Sequence, residues 1–364
     1  MRRTTRLVAI ATTTFIALSS VQAQKSDPLL ENGRDVFEFK NRKYFEDLEA
    51  KITPVGRTQL NLAMSEFKSL PNPTFTIGAN EILNLGPGAG LGIPGKPSDD
   101  FKAVQEEKLR RVERIKVQEK DLEKVNPEIF KRLTDIKFKI PNIVTSCNWN
   151  TSILTKVKDQ KSCGSCWAFA AAAAYEHTYK KMYGTNTTPD VAEEDILDYA
   201  KMCDNTEAGS CSGGWSDRVF DYMTCNRVAT ETACPYEYTA ASSCPNARKT
   251  YAALDWEQIL SSSNGFPTRQ DVKNSINTYG AVVTYMYVNY AFQAYGDGVF
   301  NGYPNTSDNR VNHAVVIVGW CDDKNAWIIK NSWGTGWGAY GGYAYVDYNH
   351  CNMAKYVYAV TPRR

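Results

Sequence analysis

The spacing of apolar positions along the chain marks out segments of different character. An apolar run from Leu7 to Leu18 follows Arg2, Arg3 and Arg6 and precedes Val21-Gln22-Ala23, the layout of a secretory leader at residues 1–23. It is short for a membrane span and is interrupted by Thr12, Thr13 and Thr14; an uncleaved anchor is the alternative. Over residues 34–51, Val36, Phe37, Tyr44, Phe45 and Leu48 recur at spacings of three and four, which predicts an amphipathic helix ended by Pro54 and Gly56. The Gly/Pro-rich stretch 85–97 reads as a loop or linker. Residues 99–125 are densely charged in both signs, with Phe101, Val104, Val112, Ile115, Leu122 and Val125 in a broken helical stripe. That helix either docks on a partner or packs only on its own domain.

The pattern changes again after residue 140. Residues 166–182 carry an alanine run without Gly or Pro and predict a helix. Short β-type runs follow at Ala281–Val288, His313–Val318, Ala326–Lys330 and Gly342–Val346, separated by turn residues. Helices first and strands later predict an α+β chain with two lobes and a cleft between them.

Composition narrows the function classes. Lys plus Arg number 42 against 40 for Asp plus Glu, so charge offers no case for nucleic acid or an anionic membrane surface. The cysteines all lie beyond residue 146, and an export route would make them disulfide candidates. Asn150, Asn186 and Asn305 each begin a glycosylation sequon.

The sharpest local feature is Gln160-Lys161-Ser162-Cys163-Gly164-Ser165-Cys166-Trp167, placed where the alanine-rich helix should begin. A cysteine at a helix N-terminus is favoured as thiolate, the competent nucleophile. A nucleophile needs a base, and the chain has three histidines, His177, His313 and His350. His177 lies too far along the same helix and reads as a helix-surface residue. His313 opens a strand, and Asn331, in Asn331-Ser332-Trp333-Gly334, follows a second one from which its amide could orient the imidazole, with Trp333 keeping water away.

These motifs resemble the papain-like cysteine peptidases over nearly all of residues 140–364. The resemblance implies the papain-like two-lobe fold, a helical left lobe and an antiparallel β-barrel-like right lobe, behind a mostly helical propeptide at residues 24–139. It implies Cys166 as nucleophile, His313 as base, Asn331 as orienting residue and Gln160 as oxyanion donor. Gly213 and Gly214 resemble the substrate shelf, and Trp215, Ser216, Val311, Asn312, Ala314 and Tyr356 are similar to residues around the main specificity pocket, with Tyr356 near its base. His350 matches a position without catalytic role. The implied activity is a secreted or lysosome/vacuole-type endopeptidase made as a zymogen and processed between about Thr134 and Asn142. Implied partners are protein or peptide substrates, its own propeptide as intramolecular inhibitor and cystatin-type inhibitors, with no cofactor or metal.

Family alignment pairs Cys163 with Cys211 and Cys203 with Cys244. The family's third bridge would join Cys351 to position 307, which is Ser307 here, so Cys321 is the substitute partner expected for Cys351, with Cys225–Cys234 as an extra local bridge and Cys147 left unpaired. The prosegment pattern is only loosely matched by Arg34, Phe37 and Asn41, and 59–67 is a compressed echo of the strand motif that follows it. Rival readings are a redox or zinc site built on Cys163 and Cys166, a catalytically silent homologue, and a ligase that passes the acyl group to an amine.

Overall fold

Capping side chains divide the N-terminal segment of the computed structural model, which describes residues 39–97, 146–238, 244–261 and 265–363, with Lys102 and Glu106. The expected leader 1–23, the processing stretch 134–142 and, apart from those two residues, the charged segment 99–125 lie outside the described residues. Helix α1 (Arg42–Glu49) starts where Asn41 accepts the Tyr44 N–H. Helix α2 (Pro54–Ser69) starts where Thr53 accepts the Gly56 N–H, with Pro54 in its first turn. Pro54 therefore opens a helix rather than ending one, because its missing N–H is an orphan there anyway. The 59–67 stretch, expected to echo a strand motif, is part of that helix. Strand β1 (Phe75–Ile77) and helix α3 (Glu81–Asn84) complete the segment.

Strand β2 (Cys147–Trp149) is followed by helix α4 (Cys166–Tyr183). Alanine at 168, 170, 171, 172 and 174 lets neighbouring elements approach closely, and these positions are buried. Helix α5 (Glu193–Tyr199), the hairpin β3 (Gly209–Ser210) and β4 (Gly213–Gly214), helix α6 (Ser216–Cys225) and strand β5 (Val228–Ala229) form the rest of the helical lobe. The other lobe comprises β6 (Lys249–Gln258), helix α7 (Arg269–Tyr279), β7 (Val282–Met286), helix α8 (Tyr290–Gln293), β8 (Tyr295–Phe300), β9 (His313–Cys321), β10 (Ala326–Lys330), β11 (Tyr343–Asp347) and β12 (Val357–Arg363).

The strands join in the order β1-β8-β11-β10-β9-β7-β12-β6-β5, with β2 also on β9. The β-barrel-like closure expected of this lobe is corrected: among the described residues the sheet is open, ending at β1 and β5, and β8 pairs with β11 in parallel. One of those edges is borrowed, since β1 belongs to the N-terminal segment and pairs Phe75 with Gly298. Phe75 packs 4.5 Å from Phe300 and 5.3 Å from Phe67, and the Glu66 carboxylate accepts the Ala291 N–H at 2.8 Å. Strand β9 is buried along its whole length, which explains its near-continuous apolar run and fixes the mounting of His313.

Charge is buried where α4 meets its neighbours. The Lys158 ammonium lies 2.8 Å from both Asp190 and Glu193, 3.6 Å from Glu176 and 3.8 Å from Glu231. Lys330 of β10 donates to Thr155 at 2.9 Å and lies 3.4 Å from His177 Nε2, linking the sheet to α4. His177 is thus fully buried, not on a helix surface as expected. The sheet covers its side of α4, and burial, then Lys330, hold the imidazole well below its usual range.

Four disulfides connect the described residues. Cys163–Cys211 ties the turn before α4 to the β3–β4 hairpin. The other expected pairings are corrected. Cys203 bonds Cys225, because its N–H donates to Asp221 of α6 and so holds it beside the end of that helix. Cys234 then bonds Cys244, ten residues on, which removes both Cys203–Cys244 and Cys225–Cys234. Cys147 is not unpaired: the β2–β9 register sets it opposite Cys321, and the two are bridged. That leaves Cys351 a buried free thiol rather than the partner of Cys321.

Candidate active site

Backbone geometry sets the site before any side chain acts. Ser165 is the N-cap of α4, and Cys166 is its first residue, so the thiol stands at the positive end of the helix. Across the cleft, His313 is the first residue of β9, and Cys166 Sγ accepts the Ala314 N–H at 3.4 Å. Asn331 follows β10, the neighbour of β9, and its carboxamide oxygen lies 2.9 Å from His313 Nε2. That oxygen only accepts, so the Nε2 proton points at Asn331 and Nδ1 is left for the sulfur side. The indole of Trp333 stacks on the imidazole at 4.7 Å and shields this bond from water.

Gln160 reaches the same place from the loop before α4. Its N–H donates to the Ser332 carbonyl at 2.9 Å, its Oε1 accepts the Ser332 hydroxyl at 2.6 Å, and its Nε2 donates to the Cys163 carbonyl at 2.9 Å. One Nε2 hydrogen is left for another acceptor. The structure therefore brings the Gln160–Cys166 motif together with His313 and Asn331, which the sequence places about 150 residues further on. Ser332 was not singled out from sequence; only its position beside Asn331 hinted at it.

The cleft is filled by the chain itself. Gly92 and Ile93 each donate an N–H to the Asn312 carbonyl at 3.2 Å, and Gly214 donates its N–H to the Gly92 carbonyl at 2.9 Å. Trp333 Nε1 donates to the Gly90 carbonyl at 3.3 Å. The segment thus runs from Trp333 towards the Gly213–Gly214 hairpin, where Pro94 reaches Gly213. A Cβ on Gly92 would collide with the Gly164 backbone, so this crossing point admits only glycine. The Gly/Pro stretch 85–97, read from sequence as a loop or linker, is the part of the N-terminal region that lies over the candidate nucleophile.

Coverage sets the protonation states. Cys166 and His313 are both 0% exposed. Burial pushes the Cys166 thiol up to about 12, with the Ala314 and Gly92 amides pulling the other way. Burial pushes His313 down to about 4, opposed by Asn331 and the Gly90 carbonyl. Both groups are held neutral under the segment.

The remaining expected residues fall as follows. Asn312 offers its carbonyl to the segment and clamps Val288 with its side chain, donating at 2.9 Å and accepting at 2.8 Å. Ala314 lies beside Cys166, and Gly213 and Gly214 border Gly92. Trp215 is half-buried against Tyr285 at 5.5 Å. Tyr356 is fully buried, its ring edge-on to Phe266 at 5.4 Å. His350 is away from the site and lies 2.7 Å from Asp347.

Residues 143–361 match the family described as papain family cysteine protease. A cysteine protease of Blomia tropicalis is 34% identical over 206 residues, 55% of this chain and 60% of that protein. Cathepsin L1 of Drosophila melanogaster is 32% identical over 222 residues, 58% of this chain and 56% of that protein. The chain thus spans about six-tenths or less of the length of these relatives. Among solved structures, digestive procathepsin L2 of Tenebrio molitor larval midgut superposes with a TM-score of 0.62 at 22% identity, covering 89% of this chain and 95% of that one. A recombinant stem bromelain precursor gives 0.60 at 22% identity, with 92% and 99% covered.

Proposed function

This chain belongs to the papain family of cysteine proteases, and we propose that it is an endopeptidase zymogen whose nucleophile is Cys166. The observation that carries the reading is a thiol at a helix N-terminus facing a His313–Asn331 pair, with the chain's own segment laid over both.

With the segment displaced, His313 takes the Cys166 proton and the thiolate attacks the scissile carbonyl carbon. The carbonyl electrons move to oxygen, held by the Cys166 N–H and the free Gln160 Nε2 hydrogen. Collapse breaks the C–N bond, and imidazolium delivers its proton to the departing amine. Water, deprotonated by His313, then cleaves the thioester and returns the thiol. A substrate lying on Gly213–Gly214, with its leaving amine under Trp333, would run opposite to the segment. Reverse passage of the segment accounts for inhibition without cleavage.

If Trp215, Asn312, Ala314 and Tyr356 surround the specificity pocket as the resemblance implies, the bulky neutral Tyr356 near its base would favour a medium apolar side chain two residues before the cut. Export fits the Arg-led apolar run at the N-terminus, and among the described residues no helix is long and apolar enough to cross a membrane. An epoxide-type thiol inhibitor should label Cys166 and abolish peptide hydrolysis once the protein is processed, and Cys166→Ser should abolish both. Hydrolysis that survives in Cys166→Ser would end this reading.

A further inference from the structure

Ser165 is a residue type that usually caps a helix with its hydroxyl, yet here it makes no side-chain cap. Its Oγ is turned instead to the Tyr236 hydroxyl, 2.8 Å away. The same phenol donates to the Gln160 carbonyl at 2.9 Å. A phenol has one hydrogen, and it goes to Gln160, so Ser165 donates to Tyr236 and the three groups form a one-way relay. Tyr236 is held in turn by its N–H, which donates to Glu231 at 2.9 Å, and by Phe169 of α4, edge-on at 4.8 Å.

We propose that Tyr236 is a positioning residue for the oxyanion pocket, setting the separation of its two donors, and this rests on the Cys166 peptidase reading. One donor, the Cys166 N–H, directly follows Ser165. The other is carried on the side chain of Gln160. A single hydroxyl bonds the residue before the first and the backbone of the second, so both donors are referenced to one atom. Tyr236 touches neither the sulfur nor the substrate carbonyl. The pocket's donors act at short range and in fixed directions, so drift of a few tenths of an ångström weakens stabilisation of charge that develops only in the transition state.

The test separates this role from a structural one. The full chain is expressed intact, processed, and compared with Tyr236→Phe on three probes. A peptide amide and a peptide aldehyde both place an oxyanion in the pocket. Iodoacetamide reacts with the same thiolate at a methylene carbon and places none there. The expected result is a kcat on the amide lower by about tenfold at unchanged KM, short of the ~10²–10³ for losing a donor outright. Aldehyde affinity should fall about as much, while the rate and pH profile of alkylation stay within about twofold, since the thiolate itself is untouched. Alkylation falling in step with hydrolysis, or hydrolysis and aldehyde binding both unchanged, would overturn the proposal. If Tyr236→Phe fails to accumulate, Ser165→Ala breaks the relay at its other end and is read by the same criteria. Absence of Cys166 alkylation and of hydrolysis in the unaltered processed protein would instead defeat the peptidase reading itself.

Discussion

Lys161 sits beside Gln160, the proposed oxyanion donor, with φ at 57°, in the left-handed region. An L-residue there costs ~1–2 kcal/mol. Asp159 offsets part of this by accepting the Lys161 N–H at 2.9 Å and the ammonium at 2.6 Å. The ammonium contact is half exposed, so it contributes about 0–1 kcal/mol. Lys161→Gly keeps the backbone bond and removes the strain, and should stabilise the chain by about 1 kcal/mol in denaturant titration; a lower midpoint would show the ion pair to be the larger effect. A second prediction follows from burial of the proposed catalytic pair, Cys166 and His313. His313 is at about 4 when covered and returns towards 6.5 when uncovered, so the covered state binds fewer protons and loses stability as pH falls from 6.5 towards 4. Cys166 has the opposite sign: covered at about 12 against an ordinary 9, it makes the covered state lose stability as pH rises from 9 towards 12. The denaturant midpoint for release of the segment, followed by tryptophan fluorescence, should accordingly be highest between about 6.5 and 9, and a midpoint that rises on acidification would contradict the assignment. Gln160, Cys166, His313 and Asn331 were legible in sequence as candidates because their chemistry is unusual and their motifs local, and the structure sets them together. His177 was not, since its burial depends on Lys330, more than a hundred residues away.

Elements were legible where one pattern acts alone. The alanine-rich helix lies where propensity predicts it and the strand at 326–330 where its β-type run does, and the β9 run continues to Cys321. Boundaries decided by a cap were less so: Asn41 and Thr53 each begin a helix inside what reads as one amphipathic stretch and its terminator. Cysteine pairing was least legible, because a family alignment transfers partners without the register that selects them. The β2–β9 ladder sets Cys147 opposite Cys321, and their bridge closes a separation of 174 residues. In the chain-entropy picture a closure that long contributes up to about 5 kcal/mol. Replacing both cysteines with alanine should lower thermal stability clearly, whereas Cys351→Ala, which removes a buried thiol without a bridge, should cost no more than a buried-side-chain truncation. Mass mapping after alkylation of the unreduced, unfolded chain checks the pairing directly: label belongs on Cys166 and Cys351, and label on Cys321 would refute the bridge.

At the scale of the whole molecule, the contacts that hold the described part of the N-terminal segment include three of different kinds. Strand β1 extends the sheet at β8, Glu66 accepts an N–H at the start of α8, and residues 89–94 lie in the cleft. The first two are anchors remote from Cys166, so a change at the third can free the thiol without detaching the segment. Gly92 is the place to test this, since any side chain there must displace the Gly164 backbone or lift its own segment. Lifting it breaks the bonds to Asn312 and Gly214 and opens a path to the sulfur. Gly92→Val should raise epoxide labelling of Cys166 in the intact chain at least about tenfold, a loss of roughly 1.4 kcal/mol of closure, with β1 still paired. Gly88→Ala is the control. Gly88, unlike Gly92, sits in the left-handed region, and a Cβ there meets nothing within 4 Å, so this variant introduces backbone strain without a clash. Equal labelling in the two variants would mean that the crossing is loosened by strain anywhere along 85–97 and that the close fit at Gly92 does not itself hold the cleft shut.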